Sequence, residues 1–169
     1  MPAWAGRLAT MYPGNGGILV ALLMHHVRLS PGQALYLGAG NVHAYLGGTG
    51  FEVMASSDNV VRAAFTQKNV NIDEFLHVAN MNAIASPLIE AEPVGPGTWQ
   101  YPVATARFGT QRIDVSGTYD LRASYDTEIL VCTAGNATSI RSGQAAVLRN
   151  GETVTLSGNA TVFRTWGNH

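Results

Sequence analysis

The stretch "PGQALYLGAGNVHAYLGGTGFEVMASSDNVVRAAFTQK", residues 31 to 68, decides how the chain is read. Short apolar-rich segments, "ALYL", "HAYL" and "FEVMA", alternate with glycine-containing turns. That pattern predicts β-strands joined by tight turns. The spacing from Gly32 is G-x5-G-x-G-x2-H-x3-G, which places His43 directly after a Gly/Asn turn. A histidine entering a strand from such a turn can be held rigidly enough to ligate a metal. It can equally hydrogen-bond its own turn.

Working outward, "VRL" and the turn "SPGQ" extend the β pattern upstream. Trp4, Leu8 and Met11 are spaced for a short helix over residues 3 to 11, which "YPGNGG" stops. "ILVALLMHH", from residue 18, fits a buried helix or a strand. Downstream, "NIDEFLHVANM" (71 to 81) puts Ile72, Phe75, Leu76 and Ala79 on one face, with Asp73 and Glu74 in the first turn, so a helix near 72 to 80 is expected. The Pro- and Gly-rich run "SPLIEAEPVGPGTWQYPV" (86 to 103) reads as a linker or an extended crossover. Beyond it strands are expected throughout. "NGETVTLSGNATVFRT" echoes residues 31 to 46, with a turn at "SGNA" between two strands and no counterpart of His43.

Composition narrows the function classes. With 46% apolar and 12% charged residues and a net charge of −1, nothing suggests affinity for nucleic acid or an anionic membrane surface. The longest apolar run is too short to span a bilayer, no signal peptide is visible, and a cytoplasmic location is expected. Cys132, the single cysteine, excludes an internal disulfide and a multi-cysteine zinc site, and within "EILVCTAG" it reads as a buried strand thiol. No H-x-H, H-E-x-x-H, C-x-x-C, G-x-S-x-G or P-loop motif occurs.

Candidate chemistry therefore gathers around residues 43 to 68. Asp58, Arg62 and Lys68 share strand parity and would face one way if the strand continued. An arginine fork and a lysine point charge suit a sugar phosphate, while a solvated edge explains them equally. Glu52 shares that parity and reads as an outward residue or a buried acid. His25 and His26 are adjacent and on a strand would face opposite ways; His77 lies on the expected helix.

Residues 31 to 68, with "YPGNGGILVALLMHHVRL" before them and "VNIDEFLHVAN" after, resemble the type I phosphomannose isomerases. These are cupin-fold zinc enzymes that interconvert mannose 6-phosphate and fructose 6-phosphate, and the stretch "VHAYLGGTGFEVMASSDNVVRAAFTQK" carries the likeness most specifically. Ser56, Ala64 and Gln67 depart from the usual Asn, Gly and Pro. The resemblance implies that His43 is a zinc ligand, that Arg62 and Asp58 are catalytic, and that Tyr45, Lys68 and Glu52 bind substrate. The family's other zinc ligands, a Gln-x-His pair and a glutamate, have no counterpart here.

The resemblance thus implies a mainly β cupin, or jelly-roll β-sandwich, with one or two short helices. The end of the catalytic cupin would occupy residues 1–85, a Pro/Gly-rich connection 86–102, and a metal-free C-terminal cupin-like domain 103–169. The function expected is zinc-dependent aldose–ketose isomerisation through an enediolate. The chain would be a fragment, inactive alone, that joins a missing N-terminal half or self-associates through exposed strands near 33 to 37 and 51 to 55. The alternative is a non-catalytic cupin that binds a sugar phosphate.

Overall fold

Alternating apolar and polar residues in the last third of the chain build two strands of 15 residues each, and these organise the backbone. The structure is a computed structural model that describes residues 2–57 and 60–168. In chain order its elements are α1 (Ala3–Met11), α2 (Gly17–Leu23), β1 (Ala34–Leu35), α3 (Ile72–Val78), β2 (Leu88–Ile89), β3 (Glu92–Gly95), β4 (Thr98–Gln100), β5 (Phe108–Arg122), β6 (Thr127–Ala137), β7 (Ile140–Arg141), β8 (Ala145–Arg149) and β9 (Thr153–Gly167). The described strands pair antiparallel throughout, as expected of a mainly β, cupin-type chain.

Backbone contacts divide the chain into two units. One comprises Met1–Arg28, Leu37–Thr49 and Ser57–Ser86; the other comprises Leu29–Tyr36, Gly50–Ser56 and Pro87–His169.

The second unit holds a seven-stranded sheet in the order β3-β4-β5-β9-β6-β7, with β8 also paired to β6. β5 and β9 run in unbroken register from Phe108↔Gly167 to Arg122↔Thr153. Ile113, Val115 and Leu121 of β5, Leu130, Cys132 and Ala137 of β6, and Leu156, Ala160 and Val162 of β9 belong to one buried cluster. The register of β6 against β9 shifts between Cys132 and Ala134. That bulge lets Cys132 and Ala137, which differ in parity, both reach the core. Cys132 is fully buried, as its apolar run implied, and burial pushes its thiol above the ordinary range.

The turn expected at "SGNA" is absent: β9 runs straight through it. Gly158 makes this possible, with φ at +145° and no room for a Cβ against the Asn136 carbonyl oxygen. Glycine there bends the strand instead of ending it. The Pro/Gly-rich run also does more than connect, since β3 and β4 form a hairpin that adds to β5 through Thr98↔Ile113 and Gln100↔Gln111. Pro93 is tolerated because β3 lies at the sheet edge.

The first unit is built differently. α1 and α3 form where expected, and "ILVALLM" resolves to the helix α2. "HAYL" forms no strand, and neither does "FEVMA" in the second unit; in this region only Ala34–Leu35 makes a ladder, with Leu88–Ile89. A strand needs a hydrogen-bonding neighbour, and the described residues give these segments none. No helix among the described residues is long and apolar enough to cross a membrane.

Candidate functional site

His43 is oriented by the turn before it and by the end of α3. Asn41 N donates to Gly38 O at 3.2 Å, and Asn80 N donates to Gly40 O at 2.8 Å. Asn41 and Asn80 also form an isolated parallel bridge. Gly40 has φ at +80°, and a Cβ there would meet Val78 O at 2.6 Å, so only glycine lets the turn approach α3 this closely. α3 is itself fixed at its start by the Asn71 side chain, which accepts from Glu74 N at 3.1 Å.

The His43 ring makes one contact that sets its chemistry. Nδ1 lies 3.0 Å from Asn41 O. A carbonyl oxygen only accepts, so Nδ1 must carry the proton and the neutral ring presents its lone pair at Nε2. A metal-ligating histidine needs this arrangement. The Tyr45 ring meets the His43 ring edge-on, at 6.0 Å between centroids, and Tyr45 is 74% exposed. Arg7 Nη2 donates to Leu46 O at 3.1 Å and ties α1 to this segment.

Arg62 and Lys68 lie on a loop, both exposed. The expectation that strand parity would align them is corrected: residues 60–71 contain no strand, and Phe65 has φ at +53°. The loop is held on the α1–α2 connection. Tyr12 and Phe65 rings lie 5.5 Å apart, and Gly17 sits so close to Ala64 that a Cβ would collide. Lys68 N donates to Thr66 Oγ1 at 3.0 Å.

Asp58 falls outside the described residues. Glu52 resolves as an exposed residue of an extended segment in which Phe51, Val53 and Ala55 turn inward. It belongs to the second unit, whereas His43, Tyr45, Arg62 and Lys68 belong to the first. As a test of metal fit, His43 suits one coordination position. No group of three or more His, Cys, Asp or Glu side chains among the described residues could hold an ion.

Sequence reasoning missed Asn41, Asn80, Tyr12 and Gly17, the residues that position the others. It also missed a buried ion pair in the second unit. Arg164 donates to both carboxylate oxygens of Glu128, at 2.6 and 2.7 Å, and Ser124 N and Tyr125 N donate to Glu128 Oε1. Burial raises the Glu128 pKa, but these hydrogen bonds and the Arg164 charge outweigh it and hold the carboxyl below its ordinary range.

Comparison with known proteins then shows what the chain is similar to. No protein-family model matches the chain. The mannose-6-phosphate isomerase of Escherichia coli is 35% identical over 155 residues, which are 90% of this chain and 39% of that protein. The chain is homologous to mannose-6-phosphate isomerase. An Arabidopsis thaliana mannose-6-phosphate isomerase is 52% identical over 66 residues, 39% of this chain and 15% of that one. A crystal structure of a variant phosphomannose isomerase from Salmonella typhimurium superposes with a TM-score of 0.77 at 27% identity, covering 98% of this chain and 45% of that one. The chain therefore spans less than half the length of the mannose-6-phosphate isomerases it matches.

Proposed function

We propose that this chain forms part of a mannose-6-phosphate isomerase, which interconverts mannose 6-phosphate and fructose 6-phosphate. The observation that carries the reading is the 35% identity to the Escherichia coli enzyme across 90% of the chain. Aldose–ketose isomerisation moves a proton between C2 and C1 and places negative charge on the sugar oxygens as an enediolate forms. Arg62 supplies a cation for that charge. Lys68, exposed on the same loop, holds the phosphate. Tyr45, beside His43, lines the substrate position, with Asp58 in a catalytic and Glu52 in a substrate-binding role.

Zinc bound here would polarise the substrate oxygens. His43 would hold it through Nε2, because the Asn41 carbonyl occupies Nδ1. The remaining ligands would come from polypeptide beyond this chain, so the chain alone is inactive. The test is mannose 6-phosphate turnover with added zinc, by the chain alone and then with a co-expressed N-terminal portion of an isomerase. Turnover only in the second case is expected. Robust turnover by the chain alone overturns the split; substrate binding without turnover in either case favours a non-catalytic sugar-phosphate-binding cupin.

A further inference from the structure

The large sheet of the second unit has one face that is apolar at one end and polar at the other. Directly paired residues share a face, so Ile113, Val162 and Cys132 form an apolar row across β5, β9 and β6. Two residues further along the strands, Gln100, Gln111 and Arg164 form a polar row across β4, β5 and β9. Gly109, Trp166 and Glu128 form the row after that.

The polar row runs in one direction. Arg164 Nη1 donates to Gln111 Oε1 at 3.3 Å, and Gln111 Nε2 donates to Gln100 Oε1 at 2.9 Å. Arginine only donates, so each glutamine turns its oxygen toward Arg164 and its nitrogen away. The chain of bonds ends on Gln100 Nε2, whose contact with Tyr101 O is 3.5 Å, too long for a good hydrogen bond. A polarised donor is therefore left with little to bind.

Gln100 lines a cavity of about 210 Å³, together with Thr105, Tyr125, Trp166 and Asn168. The aromatic wall is fixed. Tyr125 stacks on Trp166, with centroids 4.6 Å apart and planes 12° from parallel. Trp166 lies over Gly109, where a Cβ would collide with the indole. Asn168 N donates to Arg107 O at 2.9 Å and holds the rim. Among the described residues no Lys, Arg, His, Asp or Glu lines the cavity, and the Arg164 charge is already met by Glu128.

We propose that this cavity binds a neutral monosaccharide, at a site that shares no residue with the isomerase site proposed above. The proposal does not rest on the isomerase reading. An uncharged lining offers a phosphate or carboxylate no counter-charge. Gln100, Thr105 and Asn168 suit several ligand hydroxyls, and the stacked Tyr125–Trp166 pair offers apolar surface to the C–H face of a pyranose ring. The volume lies below the roughly 300–1,000 Å³ of drug-sized pockets, which restricts the ligand to a single ring.

The test titrates the nitrogen-labelled chain with D-mannose, D-glucose, D-galactose, mannose 6-phosphate and glycerol. The assigned Trp166 indole and Gln100 side-chain amide resonances are the readouts. Saturable shifts of both are expected with at least one hexose in the millimolar range, and binding of mannose 6-phosphate should be at least about fivefold weaker. Gln100→Glu keeps the shape and the acceptor for Gln111 but replaces the donor, and should weaken hexose binding at least about tenfold. Tyr125→Leu removes the stacked ring and should weaken it at least about fivefold. Unchanged amide resonances in β5 and β9 establish that each variant is folded. No saturable shift with any hexose, equal shifts with glycerol, tighter binding of mannose 6-phosphate, or unchanged hexose affinity in either folded variant would each overturn the proposal.

Discussion

At the scale of single residues the chain separates chemistry that can be read locally from chemistry that cannot. The turn that carries His43 was legible because its residues are adjacent in sequence, although the contact that orients the ring is with a backbone carbonyl, which no motif announces. One imidazole leaves most of a tetrahedral site to solvent, so zinc should not stay bound to the isolated chain through dialysis, as metal analysis would register. If the proposed function holds, Arg62→Ala in an enzyme reconstituted with a co-expressed N-terminal portion should lower kcat by about 100-fold or more, since a donor to developing charge acts mainly in the transition state. Lys68→Ala should mainly raise KM, because the phosphate is anionic throughout the reaction. Equal effects on kcat and KM from both variants would remove the division of labour. Glu128 was illegible. At the start of "TEILV" it looks like a strand-end charge, and its burial depends on Arg164, 36 residues later. Its folded pKa lies below the unfolded one, so its stabilisation is present above the ordinary carboxylate range and is lost as pH falls through the folded value. Glu128→Gln leaves Arg164 without its counter-charge and should cost about 3 kcal/mol at neutral pH. It should also flatten the acid limb of stability, which urea unfolding at pH 7 and pH 4 would measure.

At the scale of elements, helices with local signals were readable and strands that depend on distant partners were less so. α3 announced itself through Asn71, its acidic first turn and its apolar spacing. α2 did not, because an uninterrupted apolar run satisfies helix and strand equally. "HAYL" and "FEVMA" have strand-like sequences, but a ladder is a property of two segments. The bend in β9 is a related case. "SGNA" has turn composition, yet β5 on one side and β6 on the other pair across it and carry the strand through. Gly158→Ala places a side chain at φ +145° against the Asn136 carbonyl. It should destabilise the sheet by about 2–3 kcal/mol, lowering the urea midpoint with little change in slope. A loss under 0.5 kcal/mol would mean that the strand relaxes around the added methyl. Gly17→Ala should act differently. Its clash is with the loop that carries Arg62 and Lys68, so it should change kinetics in a completed enzyme more than it changes sheet stability.

At the scale of the whole molecule, the first half's shortage of strands was legible in the sequence, but not where its weakness would lie. The resemblance implied a Pro/Gly-rich connection at 86–102 between the two parts. Backbone contacts assign Leu29–Tyr36 and Gly50–Ser56 to the unit that holds the large sheet. The physical reason is that these short segments find partners only there. β1 pairs with β2, Tyr36 N donates to Pro87 O at 2.9 Å, Tyr101 donates its hydroxyl to Gly32 O at 2.9 Å, and Phe51 packs on Phe163. Local stability follows buried contacts and protected hydrogen bonds rather than chain order. The isolated chain should therefore show a striped protection pattern in native-state hydrogen exchange. β5, β6 and β9 should exchange only through global unfolding, and residues 34 to 36 should approach that limit. Residues 3 to 28, 37 to 49 and 60 to 86 should exchange at far lower opening free energies. Limited proteolysis should nick 37 to 49 and 60 to 86 while the pieces remain associated with the sheet. Uniform protection from residue 3 to residue 86 would show that the first unit has a core of its own, and uniform exposure across 29 to 56 would show that segments 29 to 36 and 50 to 56 of the second unit do not hold.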